Sequence, residues 1–277
     1  MSASVLTIIV KPSVLFLDCV LASIARQSFQ DFEVLFVADT APVDAVRYLE
    51  RAMSSLPVPA RVVWSSDAAS LATDTAERAA LRTALRSSAA RTIVISDSVS
   101  ILHGRFMEMH ANHQYESHIL TGERVELSPG LSSEVRVADI RAGWPDGSMG
   151  SLVADGIFGQ STHVSHAFFL SSPVLQRTLS TFARDVRASN FSLQRSDAEL
   201  LLEFLNTEAA PDAPSLRSKV GMRIRSFRNT FVQYRCNEPG SVSLLGVAGV
   251  LQRVQQLRLP VPELGLRPAM RSSPPSL

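Results

Sequence analysis

Cysteine and lysine are scarce in this sequence of 277 residues. Its two cysteines, Cys19 and Cys236, form no CxxC pair and join no Cys/His cluster, so we expect neither a disulfide framework nor a structural zinc site. The only lysines are Lys11 and Lys219, and arginine supplies the other positive charges. With 27 basic and 26 acidic residues, the formal net charge of +1 gives no overall field that would attract nucleic acid.

Long apolar runs are also missing. No run approaches the roughly 20 residues that a helix needs to cross a bilayer, and residues 1–4 carry no basic region of a signal peptide. We therefore expect a cytoplasmic protein that is at most peripheral to a membrane. A content of 45% hydrophobic and 19% charged residues suits a folded chain with a sizeable buried core.

The first hundred residues alternate short apolar runs with amphipathic patterns, which indicates βαβ units on a parallel sheet. This pattern predicts strands at residues 5–10, 32–37, 61–64 and 92–95, and helices at residues 15–27, 42–53 and 73–88. The segment 123–160 has no sustained period and is predicted to be a long loop. Further on, we predict helices at 173–182, 197–206 and 243–257, strands at 221–227 and 230–234, and a disordered Pro/Ser-rich tail from residue 260.

Polar side chains follow the predicted strands. Ligands of an open parallel sheet bind beyond the carboxyl ends of its strands, where Lys11, Asp39, Asp67 and Asp97 lie in this sequence. Carboxylates at neighbouring strand ends accept hydrogen bonds from ribose hydroxyls or a base, or hold a divalent cation. There is no GxGxxG and no GxxxxGK[ST], so neither a dinucleotide fingerprint nor a P-loop explains the pattern.

Three stretches resemble family-two glycosyltransferases of the GT-A fold, in the family's order. Residues 5–39, VLTIIVKPSVLFLDCVLASIARQSFQDFEVLFVAD, are similar to the family's opening strand, helix and strand. Residues 79–98, AALRTALRSSAARTIVISDS, resemble the segment that ends in the metal-binding DxD motif. Residues 194–205, QRSDAELLLEFL, resemble the start of the helix that carries the catalytic base. With smaller matches at 105–106 and 119–122, the resemblance spans residues 4–235.

The resemblance implies a GT-A-like α/β fold with a mixed, mainly parallel sheet flanked by helices. Residues 1–122 would form the nucleotide-binding half, residues 123–240 the acceptor-binding half of the same domain, and residues 241–277 a helix and tail. The implied activity is transfer of a sugar from a nucleotide-sugar donor, UDP-linked in our expectation, to an acceptor hydroxyl in polysaccharide or glycoconjugate synthesis. The acceptor would be a glycan, a lipid-linked molecule or a small molecule.

The resemblance also assigns roles to single residues. Asp39 would bind the nucleoside, Asp67 would give a second contact to base or ribose, and Asp97 would lie near the diphosphate as part of the DxD motif. Arg82, or Arg78 in a shifted alignment, would lie near the diphosphate, and Asp197 would be the general base. The residues alone leave other roles open, because strand-end aspartates cap turns and Asp197 could complement a helix dipole.

Three departures from the family pattern bear on the metal. The DxD motif is here Ser96-Asp97-Ser98, Ser196 replaces the glutamate before the expected base, and a histidine near the last strand has become Tyr234 or a neighbour. A hard Mn²⁺ or Mg²⁺ ion would find about one carboxylate where it prefers several anionic oxygens. Weak or no metal dependence is therefore the expectation.

Two outcomes remain open at this stage. In the first, cationic side chains replace the metal. The candidates are the basic residues between 217 and 235, namely Arg217, Lys219, Arg223, Arg225, Arg228 and Arg235. In the second, the chain is a catalytically inactive binding or scaffold protein partnered with an active transferase. The helix at 243–257 could form a homodimer or contact a membrane.

The histidines give weaker signals. His110 and His113 are three residues apart but lack a third ligand, so we expect them to be surface or half-buried residues rather than a metal site. His163 and His166 flank the acceptor-side region, where either packing or contact with a sugar would explain them.

Overall fold

A computed structural model describes residues 5–10, 16–38, 43–64, 88–113, 115, 117–147, 149–158, 161–182, 190–199, 223–227, 230 and 232–236. They form the strands β1 (Val5–Val10), β2 (Phe32–Ala38), β3 (Ala60–Trp64), β4 (Thr92–Asp97), β5 (Ser100–Leu102), β6 (His118–Gly122), β7 (Arg124–Glu126), β8 (Thr181–Phe182), β9 (Asn190–Gln194), β10 (Arg223–Phe227) and β11 (Gln233–Arg235). They also form the helices α1 (Leu17–Ala25), α2 (Val43–Met53), α3 (Phe106–Asn112), α4 (Pro129–Glu134), α5 (Val137–Arg141), α6 (Met149–Ile157), α7 (Pro173–Thr178), the 3-10 helix Val164–Ala167 and a helical segment at 195–199.

Within the described residues, eight strands form one large sheet in the order β3-β2-β1-β4-β9-β6-β10-β8. Strands β3, β2, β1 and β4 are parallel, and β6 and β10 run in the same direction. Strand β9 lies antiparallel between β4 and β6, and β8 lies antiparallel to β10 at the edge. The sheet is therefore mixed and mainly parallel, which confirms the α/β fold class that the sequence predicts.

The apolar patterns of the first half explain why its strands and helices form. Strand β2 has an unbroken apolar run whose residues 34–37 are all buried, as expected for a parallel strand covered on both faces. Helix α1 repeats apolar residues at Leu17, Val20, Leu21 and Ile24, and this stripe packs in a core with residues of β2 and α3. Strands β1 to β4 and helices α1 and α2 confirm the predicted elements apart from a residue or two at their ends.

Gln27 fixes the end of α1 to the start of α3. Its Nε2 donates to the carbonyl oxygens of Ser23 (3.0 Å) and His103 (2.9 Å), and its Oε1 accepts from the backbone N–H of Met107 (3.0 Å). The side chain is buried, so these bonds satisfy its amide group inside the protein. Gln27 is therefore a structural residue that joins the two helices.

A second sheet packs beside the first. In the described part of the chain it has three strands in the order β5-β11-β7, with β11 antiparallel to β5 and parallel to β7. Alternate side chains of these strands point to opposite faces. Ile101, Val125 and Tyr234 enter a second hydrophobic core, while Arg124, Glu126 and Arg235 lie on the other face.

The predicted long loop at 123–160 is wrong. This segment contains β7, α4, α5 and α6, and each helix has five to nine residues, too few to produce a sustained hydrophobic period. The start of α4 has a recognisable signal, since Ser128 accepts from the N–H of Leu131 (3.0 Å) and Pro129 is the first helical residue. The helix predicted at 173–182 ends at Thr178 and is followed by the short strand β8, and the strands β5 and β9 were not predicted.

The predicted helices at 73–88 and 243–257, and the tail from residue 260, lie outside the described residues apart from Ser88. Strands β9 and β10 come from the second half of the chain and complete the sheet that β1 to β4 begin, so the two predicted halves share one sheet. The division at residue 122 remains a prediction. None of the helices within the described ranges is both long and apolar enough to cross a membrane.

Candidate functional site

The carboxyl ends of β1, β2 and β4 lie side by side. Val10, the last residue of β1, is in register with Asp97 on one side and with Val37 on the other. Asp97 therefore lies at the edge of the sheet where ligands of parallel α/β proteins bind. The sequence continues from β1 and β2 into Lys11 and Asp39, which are outside the described residues, as are Asp67, Arg78 and Arg82.

Two arginines face Asp97. The Nη1 atom of Arg124 lies 3.9 Å from Asp97 Oδ2, and the Nε atom of Arg235 lies 3.7 Å from the same oxygen. The side chain of Asp97 is only 13% exposed, and those of the arginines are 22% and 19% exposed. Limited contact with water strengthens the attraction between these charges relative to a pair on the open surface.

Glu126 completes a cluster of four charges, which we call the Asp97 cluster: Asp97, Arg124, Glu126 and Arg235. Glu126 forms an ion pair with the Nε atom of Arg124, and its Oε2 lies 3.6 Å from Nη1 of Arg235. The two acidic and two basic side chains balance in number, so the cluster is electrically neutral. Each of the two carboxylates lies within 4 Å of both guanidinium groups.

The strand register explains how the cluster forms. Strands β7 and β11 are parallel, with Gln233 in register with Arg124 and Arg235 in register with Glu126, so all four side chains lie on one face. Gln233 Nε2 also donates to Ser96 Oγ on β4 (3.1 Å), which ties β11 to the end of that strand. Tyr234 points into the core on the opposite face, where burial raises its pKa.

The Asp97 cluster does not fit a divalent cation. Mn²⁺ and Mg²⁺ prefer several anionic or carbonyl oxygens, whereas the DxD position offers one carboxylate between two serines. Two guanidinium groups within 4 Å of that carboxylate would repel a metal ion at the same oxygen. Among the described residues there is no group of three or more His, Cys, Asp or Glu side chains that could hold a metal ion.

A second pair of side chains lies at the same edge of the sheet. Glu123 follows directly after β6, which runs parallel to β4, and its Oε2 lies 2.7 Å from Nε2 of His166. The Glu123 side chain is 10% exposed and that of His166 is 17% exposed. Next to Glu123 in the sequence is Arg124, which reaches Asp97. Glu123 thus directly precedes a residue of the Asp97 cluster in the chain.

Asp197 lies at the opposite edge. Its helical segment follows β9, whose last residue, Gln194, is in register with Thr92 at the start of β4. The five residue steps of β4 between Thr92 and Asp97 correspond to about 16 Å. Asp197 is buried and accepts the backbone N–H of Ser117 (3.1 Å), just before β6. The structure thus does not bring Asp197 to Asp97, and the common cleft that a general base at this position requires is absent from the described part of the chain.

The expectation for His110 and His113 was also wrong. Both side chains are buried, and Nδ1 of His110 lies 2.8 Å from Ser192 Oγ on β9. Burial lowers the pKa of His110 to about 3, with a smaller contribution from His113, and burial also lowers the pKa of His113. Both are therefore neutral core residues at pH 7.

The sequence analysis included Asp97 and Arg235 among its candidates but missed Arg124 and Glu126. Of the basic stretch, Arg235 joins the Asp97 cluster, whereas Arg225 stacks on Tyr115 with its guanidinium carbon 4.9 Å from the ring centroid. The side chains of the other four basic residues are not described. The sequence could have indicated Glu123, Arg124 and Glu126, because these residues follow the family-like match at 119–122.

Comparisons with known proteins reveal distant structural likenesses. No protein-family model matches the chain, and a comparison with curated proteins gives no match. The structure of S. aureus TarS in complex with UDP-GlcNAc has 15% sequence identity, a TM-score of 0.49 and coverage of 93% of this chain and 67% of that chain. Glucosyl-3-phosphoglycerate synthase from Mycobacterium tuberculosis, in complex with Mg²⁺ and UDP, has 12% identity, a TM-score of 0.43 and coverage of 95% and 82%. A mycobacterial protein has 14% identity, a TM-score of 0.44 and coverage of 95% and 77%.

Proposed function

We propose that this chain is a glycosyltransferase that takes a sugar from a nucleotide-diphosphate donor, with UDP as the nucleotide, and transfers it to an acceptor hydroxyl. In this proposal Arg124 and Arg235 supply the positive charge at the diphosphate that a metal ion supplies in a DxD site. The observation that carries the proposal is the pair of guanidinium groups facing Asp97 at the carboxyl edge of the sheet.

The geometry of the two arginines supports a diphosphate ligand. Their separations from Asp97, 3.9 and 3.7 Å, are longer than a hydrogen bond, so the attraction to Asp97 is mainly electrostatic. A phosphate oxygen can accept shorter, charge-assisted hydrogen bonds from a guanidinium group, and these are stronger. A diphosphate would therefore compete well with Asp97 for the two arginines, and at Arg124 it would share the guanidinium group with Glu126.

Positive charge at this position also suits the chemistry of sugar transfer. When the bond between the anomeric carbon and the diphosphate breaks, negative charge grows on the departing nucleotide. Guanidinium groups that are already held near that point stabilise the charge without a metal ion. As part of this proposal, Asp39, Asp67 and Arg82 retain the donor-binding roles that the family resemblance implies. Lys11, which follows the first predicted strand, joins them as a donor-binding residue.

Titration calorimetry with UDP and UDP-GlcNAc tests the proposal at pH 7.5, in EDTA and again in MnCl₂. We expect binding in both buffers. Arg124→Gln and Arg235→Gln should each weaken UDP binding by about 10- to 100-fold, because each removes a charged hydrogen bond. Arg141→Gln is the matched control, since Arg141 is an exposed residue at the end of α5. Absence of UDP binding by the native chain in both buffers would refute the proposal.

The position of Asp197 favours one alternative, a catalytically inactive binding or scaffold protein. The residue expected to be the general base lies at the amino edge of the sheet and holds a backbone N–H group. A chain that binds UDP-GlcNAc but releases no UDP over hours would fit this alternative. Measured UDP release at a rate above that of the buffer would exclude it.

A further inference from the structure

Helix α7 exposes its apolar side chains and buries a polar one. Val174 and Leu175 are 71% and 48% exposed, and Leu179, which directly follows the last residue of the helix, is also exposed. Gln176 lies between them in the sequence and is only 2% exposed. A surface helix normally turns its apolar side chains towards the core and its polar ones towards water. In α7 the two sides are exchanged, so its apolar side chains face solvent.

Contacts of Gln176 fix this orientation. Its Nε2 atom donates to the carbonyl oxygen of Leu170 and lies 3.5 Å from the Sδ atom of Met109 on α3. Successive residues of a helix are about 100° apart around its axis, so Val174 points almost directly away from Gln176. The buried glutamine therefore holds the apolar side of α7 outward.

The stretch before α7 adds an exposed aromatic ring. Phe168 and Phe169 directly follow the 3-10 helix Val164–Ala167. The ring of Phe169 stacks on His103, with the ring centroids 4.4 Å apart, whereas Phe168 is 52% exposed. The backbone of Phe168 is extended, and successive side chains of an extended chain point to opposite sides. Phe168 thus faces solvent because Phe169 occupies the inner side.

The end of α6 exposes two more apolar side chains. Ile157 and Phe158 are 76% and 79% exposed. Gly156, just before them, lies against Val164 of the 3-10 helix, because a Cβ atom at this glycine would be 2.6 Å from Val164 Cγ2. Within the described residues, all large apolar side chains that are exposed lie in this segment, except Tyr48. We call them the apolar face: Ile157, Phe158, Phe168, Val174, Leu175 and Leu179.

The segment that carries the apolar face has no acidic residue. Between Asp155 and Asp185 the sequence contains two arginines, Arg177 and Arg184, and neither aspartate nor glutamate. Arg177 is exposed in the last turn of α7, beside the apolar side chains. Exposed aliphatic and aromatic side chains next to a cation are typical of a surface that lies on a membrane. There the apolar groups enter the interface and the cation meets anionic headgroups.

Charge argues against two other occupants of the apolar face. If the face paired with itself around a two-fold axis, two copies of Arg177 would approach each other, and residues 156–184 have no acidic residue to balance them. Residues 237–277 contain four arginines and two glutamates, so this segment would also add positive charge beside Arg177. An anionic lipid surface complements the charge of the face.

We propose that the apolar face binds the surface of a lipid bilayer with anionic headgroups. Its apolar side chains enter the boundary between the headgroups and the acyl chains. The methylene stem of Arg177 lies along this boundary, and its guanidinium group contacts the phosphate groups. This inference goes beyond the proposed function, because it requires no nucleotide.

Sedimentation of the full chain with lipid vesicles at pH 7.5 tests the inference. One set of vesicles is phosphatidylcholine alone, and the other contains an equal amount of phosphatidylglycerol. We expect the native chain to bind the mixed vesicles, and to bind at least about fivefold more weakly to phosphatidylcholine alone or in high salt. Val174→Ser/Leu175→Ser should lower the partition coefficient on mixed vesicles by about 10- to 100-fold, because serine removes apolar surface. Arg177→Glu should lower it by about 5- to 30-fold.

Two matched variants test whether position matters. Tyr48→Ser removes an exposed apolar side chain of α2, and Arg141→Glu changes an exposed arginine in the last turn of α5. Both should bind the mixed vesicles within about twofold of the native chain. Thermal unfolding checks that each variant is folded. If Val174→Ser/Leu175→Ser is unfolded, Ile157→Ser/Phe158→Ser replaces it and should weaken binding by at least about fivefold.

A native chain that does not bind the mixed vesicles would overturn the inference. So would binding that the variants of the apolar face and Arg177→Glu leave unchanged, because another region would then hold the membrane. Light scattering tests the second copy: a native dimer that becomes monomeric in Val174→Ser/Leu175→Ser would also overturn the inference. UDP binding is measured separately, so failure of the proposed function would leave the vesicle result unaffected.

Discussion

The two edges of the large sheet hold aspartates in different settings. At the carboxyl edge, Asp97 is faced by Arg124 and Arg235. At the amino edge, Asp197 accepts a backbone N–H of the loop before β6. Strand direction causes the difference, because β9 is antiparallel and carries the chain away from the ligand edge. The direction of the strand must therefore be known before a role in ligand binding is assigned to an aspartate that follows it.

The largest effect should come from removing both cations at the carboxyl edge. The double variant Arg124→Gln/Arg235→Gln should raise the Kd for UDP by about 100- to 1000-fold, since two charged hydrogen bonds are lost. Titration calorimetry at pH 7.5 measures the Kd for UDP, and thermal unfolding checks that the variant is folded. An increase below about threefold would show that the diphosphate does not bind at the Asp97 cluster.

The next largest effect is on stability and comes from His110, beside the central strand β9. His110 packs under β9, and its pKa in the folded state is lowered to about 3 by burial. Between pH 6.5 and 3 the unfolded chain therefore binds more protons, so the free energy of unfolding falls as the pH falls, by up to about 1.4 kcal/mol per pH unit.

Urea unfolding at pH 7, 6 and 5 measures this dependence. His110→Gln should flatten it, leaving the contribution of His113, whose pKa burial also lowers. An equally steep dependence in the variant would show that His110 is not the group responsible.

A smaller effect is expected at the amino edge. Asp197→Asn should lower the free energy of unfolding by about 1 kcal/mol, because a neutral amide oxygen is a weaker acceptor for the N–H of Ser117 than a carboxylate. UDP binding and UDP release should stay within twofold of the native values. Loss of UDP release with intact UDP binding would instead restore the general-base role of Asp197 and contradict a purely structural role at the amino edge.

The smallest effect is expected from metal removal. Because the DxD position offers one carboxylate beside two guanidinium groups, EDTA should change UDP binding by less than about twofold. The same titration in MnCl₂ completes the measurement. A tenfold gain in affinity with Mn²⁺ would assign a metal to this edge.

Parts of this fold could be predicted from local sequence. The continuous apolar run of β2 and the apolar stripe of α1 each define one element, and the strand before Asp97 has the same property. The short helices of 123–160 could not be predicted, because five to nine residues give too few repeats of a 3.6-residue period. Ser128-Pro129 was the one local signal there.

Only the part of the candidate site that depends on a single strand could be predicted. Asp97 lies at the end of the apolar run of β4, so the local pattern places it at the carboxyl edge of the sheet. The partnership of Arg124 with Arg235 depends on the pairing of β7 with β11, more than 100 residues apart in sequence, and no local pattern reports it. The edge at which Asp197 lies could not be predicted either, because the antiparallel direction of β9 is a property of the whole sheet.

A crystal structure of the chain with UDP and Mn²⁺, with anomalous data for manganese, would show whether the two arginines or a metal ion hold the diphosphate. We predict diphosphate oxygens at hydrogen-bond distance, about 3 Å, from the guanidinium groups of Arg124 and Arg235, with no manganese peak at Asp97. A manganese ion that bridges Asp97 and the diphosphate, or a diphosphate bound away from both arginines, would contradict it.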